Sequence, residues 1–240
     1  MNIKEGEVFF VDKPLHWTSF NVVNKVRWKI QKTMKEKHIK VGHAGTLDPL
    51  ATGVIILCTG KATRRIEEFQ YQTKEYVATL ELGATTPCFD KELPVDATYP
   101  TEHISLELVN KVIPTFTGEI WQTPPVYSAV KVDGKRAYDY AREGKEVELK
   151  PKLLVIDEIE VLGFELPFLT LRIVCSKGTY IRALARDIGT ALNSGAHLAA
   201  LQRTRIGEVT LDKCRDVQDL ILHIEQELLK QNETTEESVN

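Results

Sequence analysis

Residues 153–162 and Phe168–Cys175 read as two strands that pair with each other, and such a pair must bury its apolar face against something else. Residues 76–82 alternate apolar and polar in the same way. Residues 54–58 are apolar throughout and end at Thr59-Gly60, as a strand buried on both sides would. Near the start, residues 7–11 form a short apolar run closed by Asp12-Lys13-Pro14. Between these segments lie helical patterns. Thr18 or Ser19 can cap a helix carrying Val22, Val23, Val26 and Ile30 at helical spacing. Residues 106–116 repeat that pattern. Thr179 begins a helix with Ile181, Leu184, Ala185, Ile188 and Leu192, and residues 217–229 form a last amphipathic helix. Residues 126–132 run into Asp133-Gly134, a tight-turn signal. The expected fold is α+β, with a mixed, mainly antiparallel sheet flanked by helices. Residues 1–215 form one domain in this reading. Residues 216–240 add the helix and an acidic tail, frayed from residue 231 onward.

The 240 residues are 42% hydrophobic, enough for a substantial core. No run of about 18 apolar residues exists, so no membrane span is expected. The first residues lack a basic leader with an apolar stretch, which argues against a secretory signal. Cys58, Cys88, Cys175 and Cys214 are scattered and form no Cys-x-x-Cys pair, which disfavours disulfides and zinc and suits a cytoplasmic protein. The net charge is −3, yet its distribution is uneven. Residues 24–40 carry Lys25, Arg27, Lys29, Lys32, Lys35, Lys37 and Lys40 against Glu36 alone, a net of +6. From Asp216 onward seven acids face one base, a net of −6. Such a separation fits a basic binding surface, and equally a solvated helix face.

The segment best suited to chemistry is Gly42-His43-Ala44-Gly45-Thr46-Leu47-Asp48-Pro49-Leu50-Ala51-Thr52-Gly53. Its glycines allow close backbone approach, and Pro49 keeps Asp48 out of helical geometry. A carboxylate on a stiff, extended loop suits a nucleophile or base, and the plainer reading is an aspartate that caps the next turn. The loop lacks the Gly-Lys-Ser/Thr ending of a phosphate loop, and the chain has neither a metal-ligand histidine spacing nor a Gly-x-Ser-x-Gly elbow.

A second cluster is Cys175-Ser176-Lys177-Gly178-Thr179-Tyr180-Ile181-Arg182. Arg182 falls in the first turn of a helix, where the dipole disfavours a cation. A carboxylate such as Asp48 would balance it through a bidentate pair. Arg182 as a surface arginine and Tyr180 as core packing are the plainer alternatives.

These clusters, with Val11-Asp12-Lys13-Pro14, Lys74-Glu75-Tyr76, Pro125-Val126-Tyr127-Ser128-Ala129-Val130-Lys131 and Gly195-Ala196-His197-Leu198 leading to Leu201 and Arg203, resemble the TruB family of tRNA pseudouridine synthases. The match runs from about Phe10 to Gly207, and Leu50-Ala51 looks like the bacterial stand-alone form. The resemblance implies isomerisation of uridine to pseudouridine in the T-loop of tRNA, at tRNA position 55, without cofactor, metal or protein partner. It implies that Asp48 is the essential carboxylate. Tyr76 would stack on the target base and assist proton removal from C5. Arg182 would pair with Asp48, Tyr180 and Leu201 would line the pocket, and His43 would sit against the RNA. A base inside a folded loop must be everted first, which costs a few kcal/mol; an aromatic face returns about 1–3 kcal/mol by stacking. One carboxylate suffices where a glycosidase needs two, since the uracil never leaves.

The basic segment then gains a polyanionic partner, with Lys35, Lys37 and Lys40 as phosphate contacts beside Lys13 and, more weakly, Arg203 and Arg205. Many members of the family continue into an RNA-binding PUA domain, which this sequence is expected to lack. The rival readings are another RNA-uridine specificity on the same fold, and a catalytically silent RNA-binding or tRNA-folding module.

Overall fold

The computed structural model describes residues 1–128, 130–132, 134–145 and 147–237, so that Ala129, Asp133, Glu146 and the last three residues of the tail lie outside the described residues. The chain groups into two compact units, Met1–Gln72 with Gln202–Asn240, and Thr73–Leu201.

In the first unit, strand β1 (Val8–Lys13) leads to helix α1 (Ser19–Met34), strand β2 (Val41–Ala44) and strand β3 (Ala51–Thr59). β3 pairs antiparallel with β1, Val11 opposite Ile55, and antiparallel with β2, His43 opposite Leu57. Residues 54–59 are all buried, because both faces of β3 are covered. Ile55 and Leu57 face one core with Val22, Val26 and Ile30 of α1 and Ile221, Ile224 and Leu228 of the closing helix, Val217–Glu237. Val54, Ile56 and Cys58 face another, with Ala44, Phe69 and Ile206. The closing helix therefore shares a core with the first strands, and it continues as far as Glu237. Thr18 caps α1: its hydroxyl accepts the Asn21 N–H at 3.0 Å, and the Asn21 side chain accepts the Thr18 N–H at 2.8 Å.

In the second unit, strand β4 (Lys74–Leu82) alternates as its sequence predicts, burying Tyr76, Ala78, Leu80 and Leu82. It pairs antiparallel with Phe168–Cys175, Tyr76 opposite Ile173. That strand pairs antiparallel with Lys152–Glu165, confirming the expected partners, and Lys152–Glu165 pairs with Gly118–Gln122. The helical pattern at 106–116 becomes an α-helix, Leu106–Val112, and then a 3-10 turn, Ile113–Phe116, where Pro114 sits near the start. Residues 126–128 are bent, and the short strand Lys131–Val132 before Gly134 pairs with Lys135–Arg136. The helix expected from Thr179 starts at Ile181, with Tyr180 at the cap position. Thr179 Oγ1 donates to the Ser176 carbonyl at 3.0 Å and closes the preceding turn instead. The mixed, mainly antiparallel α+β class stands. Among the described residues, no helix is long and apolar enough to cross a membrane.

Candidate active site

The loop between β2 and β3 is held at nearly every residue around Asp48. Arg203 Nη2 donates to the Gly45 carbonyl at 3.0 Å and Nε to that of Val54 at 2.8 Å. Ser19, the first residue of α1, grips Leu47 twice. Its hydroxyl accepts the Leu47 N–H at 2.8 Å and donates to the Leu47 carbonyl at 3.1 Å. The His16 N–H donates to the Pro49 carbonyl at 2.8 Å, the Ala51 N–H to that of Asp48 at 3.1 Å, and the Gly53 N–H to Asp12 Oδ1 at 3.1 Å. Gly53 has φ +103, and a Cβ there would lie 2.2 Å from the Arg203 carbonyl oxygen, so only glycine fits. Leu47 is buried and Asp48 half-buried. The carboxylate therefore stands on a backbone fixed before any ligand arrives.

Lys13 and Arg203 do not occupy the positions expected of phosphate contacts. Both are buried, at 0% and 1% exposure, and their cations serve the protein's own carbonyls. Lys13 Nζ donates to Pro14 O at 2.9 Å and Trp17 O at 2.6 Å. Burial pushes the Lys13 ammonium down to about 8; the Asp48 carboxylate opposes that shift, while the Arg203 guanidinium adds to it. Lys13 thus gives Asp48 a buried counter-charge. Burial, with the Arg203 guanidinium beside it, also lowers the His43 pKa from its usual value, against a backbone hydrogen bond at Gly45, so the ring is neutral at pH 7. His43 Nδ1 is buried with no hydrogen-bond partner. Lys35, Lys37 and Lys40 lie in and after the left-handed turn that ends α1, and all three are exposed, as phosphate contacts must be. Arg205 is half-buried and donates to Gly207 O at 3.2 Å.

In the second unit, Arg182 lies in the first turn of helix Ile181–Ala191 and is 6% exposed, which excludes a plain surface arginine. Nη1 donates to Cys88 O and Nη2 to Tyr127 O, each at 3.0 Å. Nε lies 3.6 Å from Asp90 Oδ2, a buried carboxylate that sequence reasoning missed. Asp90 Oδ1 accepts from the Glu92 N–H at 2.9 Å and the Cys88 thiol at 3.0 Å. Burial, reinforced by that bond, raises the Cys88 pKa. Tyr180 is half-buried, and Gln122 clasps its backbone: the Tyr180 N–H donates to Oε1 at 2.9 Å, and Nε2 donates to Tyr180 O at 3.2 Å. Tyr76 is 8% exposed on its sheet face, and Leu201 is half-buried in strand Ala196–Ile206. Gln122 and Ser19 were also missed, since neither carries a charge or a motif. Among the described residues, no three potential metal ligands gather.

A family model described as TruB family pseudouridylate synthase (N terminal domain) matches residues 31–181. One described as tRNA pseudouridylate synthase B C-terminal domain matches residues 182–237. A protein of Bacteroides fragilis named tRNA pseudouridine synthase B is 69% identical over 216 residues, 90% of this chain and 93% of its own length. One of Phocaeicola vulgatus with the same name is 65% identical over 231 residues, 96% of this chain and 98% of its own. Among solved structures, a chain of an H/ACA RNP bound to a substrate RNA containing 2'-deoxyuridine gives a TM-score of 0.65 at 30% identity, covering 91% of this chain and 53% of that one. A chain of a Cbf5-Nop10-Gar1 complex gives 0.66 at 32% identity, covering 91% and 54%. This chain spans about half the length of those two structures.

Proposed function

Since the chain belongs to the TruB family of pseudouridylate synthases, we propose that it converts a uridine in the T-loop of tRNA, at tRNA position 55, to pseudouridine, with Asp48 as the catalytic carboxylate. The bond between ribose C1′ and uracil N1 breaks, the uracil turns, and C1′ joins C5. C5 gives up its hydrogen to solvent and N1 takes a proton, so atoms balance with no electron carrier and no net water. The observation that carries this reading is the Asp48 loop itself, pinned by Ser19, Arg203, His16 and Asp12 around a half-buried acid with a buried lysine as counter-charge. A fixed carboxylate avoids the cost of ordering it during the reaction.

The remaining roles rest on the motif match. Tyr76 meets the uracil and assists removal of the C5 proton. Arg182 pairs with Asp48, Tyr180 and Leu201 border the everted nucleotide, and His43 lies against the RNA. Lys35, Lys37 and Lys40 receive phosphates. The T-arm is the recognised unit, no protein partner is required, and the enzyme works in the cytoplasm, where its four free cysteines persist. The test is tritium release from a T-arm hairpin whose uridine is tritiated at C5, with no metal or nucleotide added. Wild-type protein releases tritium in proportion to product; no release from wild type rejects the reading.

A further inference from the structure

On α1 the buried residues Ser19, Val22, Val23, Val26 and Ile30 form one stripe. At about 100° per residue, Trp28 falls on the opposite pole, facing straight into water. It is 53% exposed, where a helix ordinarily carries a charged or small polar side chain. Two lysines stand over its ring: Lys25 Nζ is 5.8 Å and Lys32 Nζ 5.1 Å from the centroid. Along the adjacent face Phe20 is 59% exposed, with Arg27 5.6 Å from its ring. Beside Trp28 lies a groove of about 500 Å³ lined by His16, Trp17, Asn21, Asn24, Lys25 and Trp28. Among the described residues, no carboxylate pairs with Lys25 or Lys32.

We propose that this face of α1 is a second RNA subsite, in which an unpaired nucleobase stacks on Trp28 while Lys25 and Lys32 hold the flanking phosphates. An aromatic face gives a base sequence-tolerant stacking, and ammonium groups on either side match the backbone charges that accompany it. A second copy of this chain fits poorly, because twofold contact would set Lys25 and Lys32 against their own kind. Ser19, which grips the Asp48 loop, lies nine residues earlier on the same helix, about 14 Å along its axis. The subsite therefore lies outside the catalytic loop and takes a different nucleotide from the one isomerised. The proposal rests on the reading that the substrate is RNA.

The experiment measures the Kd of full-length protein for a T-arm hairpin by a method independent of turnover, with tritium release followed in the same wild-type preparation. Trp28→Ala is expected to weaken binding about tenfold, Trp28→Phe to retain most of the affinity, and Lys25→Gln with Lys32→Gln to flatten the salt dependence. Tryptophan emission should be quenched by RNA in wild type and much less so in Trp28→Phe. Unaltered affinity in Trp28→Ala, with an unaltered melting temperature, overturns the subsite. So does self-association of wild type that Trp28→Ala abolishes while RNA affinity stays the same. Wild type that binds RNA through Trp28 yet releases no tritium would sink the enzymatic reading and leave the subsite standing.

Discussion

Ser19 Oγ and the Leu47 main chain exchange two hydrogen bonds, at 2.8 and 3.1 Å, so that the first residue of α1 fixes the backbone immediately before Asp48. The hydroxyl is buried, and both polar groups of Leu47 depend on it. Helix and loop are thereby set by one side chain, which links the packing of Val22, Val26 and Ile30 to the placing of the reactive acid.

Ser19→Ala should release that loop without unfolding the protein. The expected loss is about tenfold in kcat, with KM for the T-arm hairpin changed less, since a displaced carboxylate harms the reacting geometry more than RNA contacts made elsewhere. Steady-state kinetics on the tritium assay, with a thermal melt as a control, decides it. Wild-type kcat in the variant would show that the loop holds its shape without Ser19.

Lys13 gives a pH signature of definite sign. Its ammonium titrates at about 8 in the folded protein against an ordinary 10.5. Between those values the unfolded chain binds more protons, so this group makes the fold more stable as pH rises through about 8 toward 10.5. Lys13→Met cannot titrate. The unfolding free energy of wild type minus that of Lys13→Met should therefore increase from about pH 7 to about pH 10 in urea titrations. A flat difference would mean that the buried ammonium is not strained by its surroundings.

The basic turn after α1 should act through phosphates alone. Replacing Lys35, Lys37 and Lys40 together with glutamine should weaken hairpin binding and reduce the slope of log affinity against log salt by about 2 to 3, at roughly 0.7–0.9 for each phosphate no longer neutralised. Binding measured at several salt concentrations provides the check. An unchanged slope would remove these lysines from the interface.

Much of the fold was legible because periodicity survives folding. Tyr76, Ala78, Leu80 and Leu82 alternate in the sequence and are buried in β4, and the stripe on α1 is the one its spacing predicts. The loop carrying Asp48 was legible through its glycines and proline. What stayed hidden was the fate of charged residues. Lys13 and Arg203 look like surface cations in any local window, and only carbonyls brought from Trp17, Gly45 and Val54 make their burial tolerable. Helix-dipole reasoning asked for an acid near Arg182, and Asp90, which lies 3.6 Å from it in a loop with no pattern to mark it, is a carboxylate the sequence did not point to. Nothing local in residues 126–128 marks their bend, where Arg182 donates to the Tyr127 carbonyl.

The most direct measurement is turnover and binding of Asp48→Asn side by side. The side chain keeps its size and loses its charge, and the backbone grip of Ser19, His16 and Arg203 is untouched. Tritium release should fall below detection while hairpin affinity stays within about threefold of wild type, a change of less than about 1 kcal/mol. Turnover at wild-type rate in that variant would contradict the assignment of Asp48.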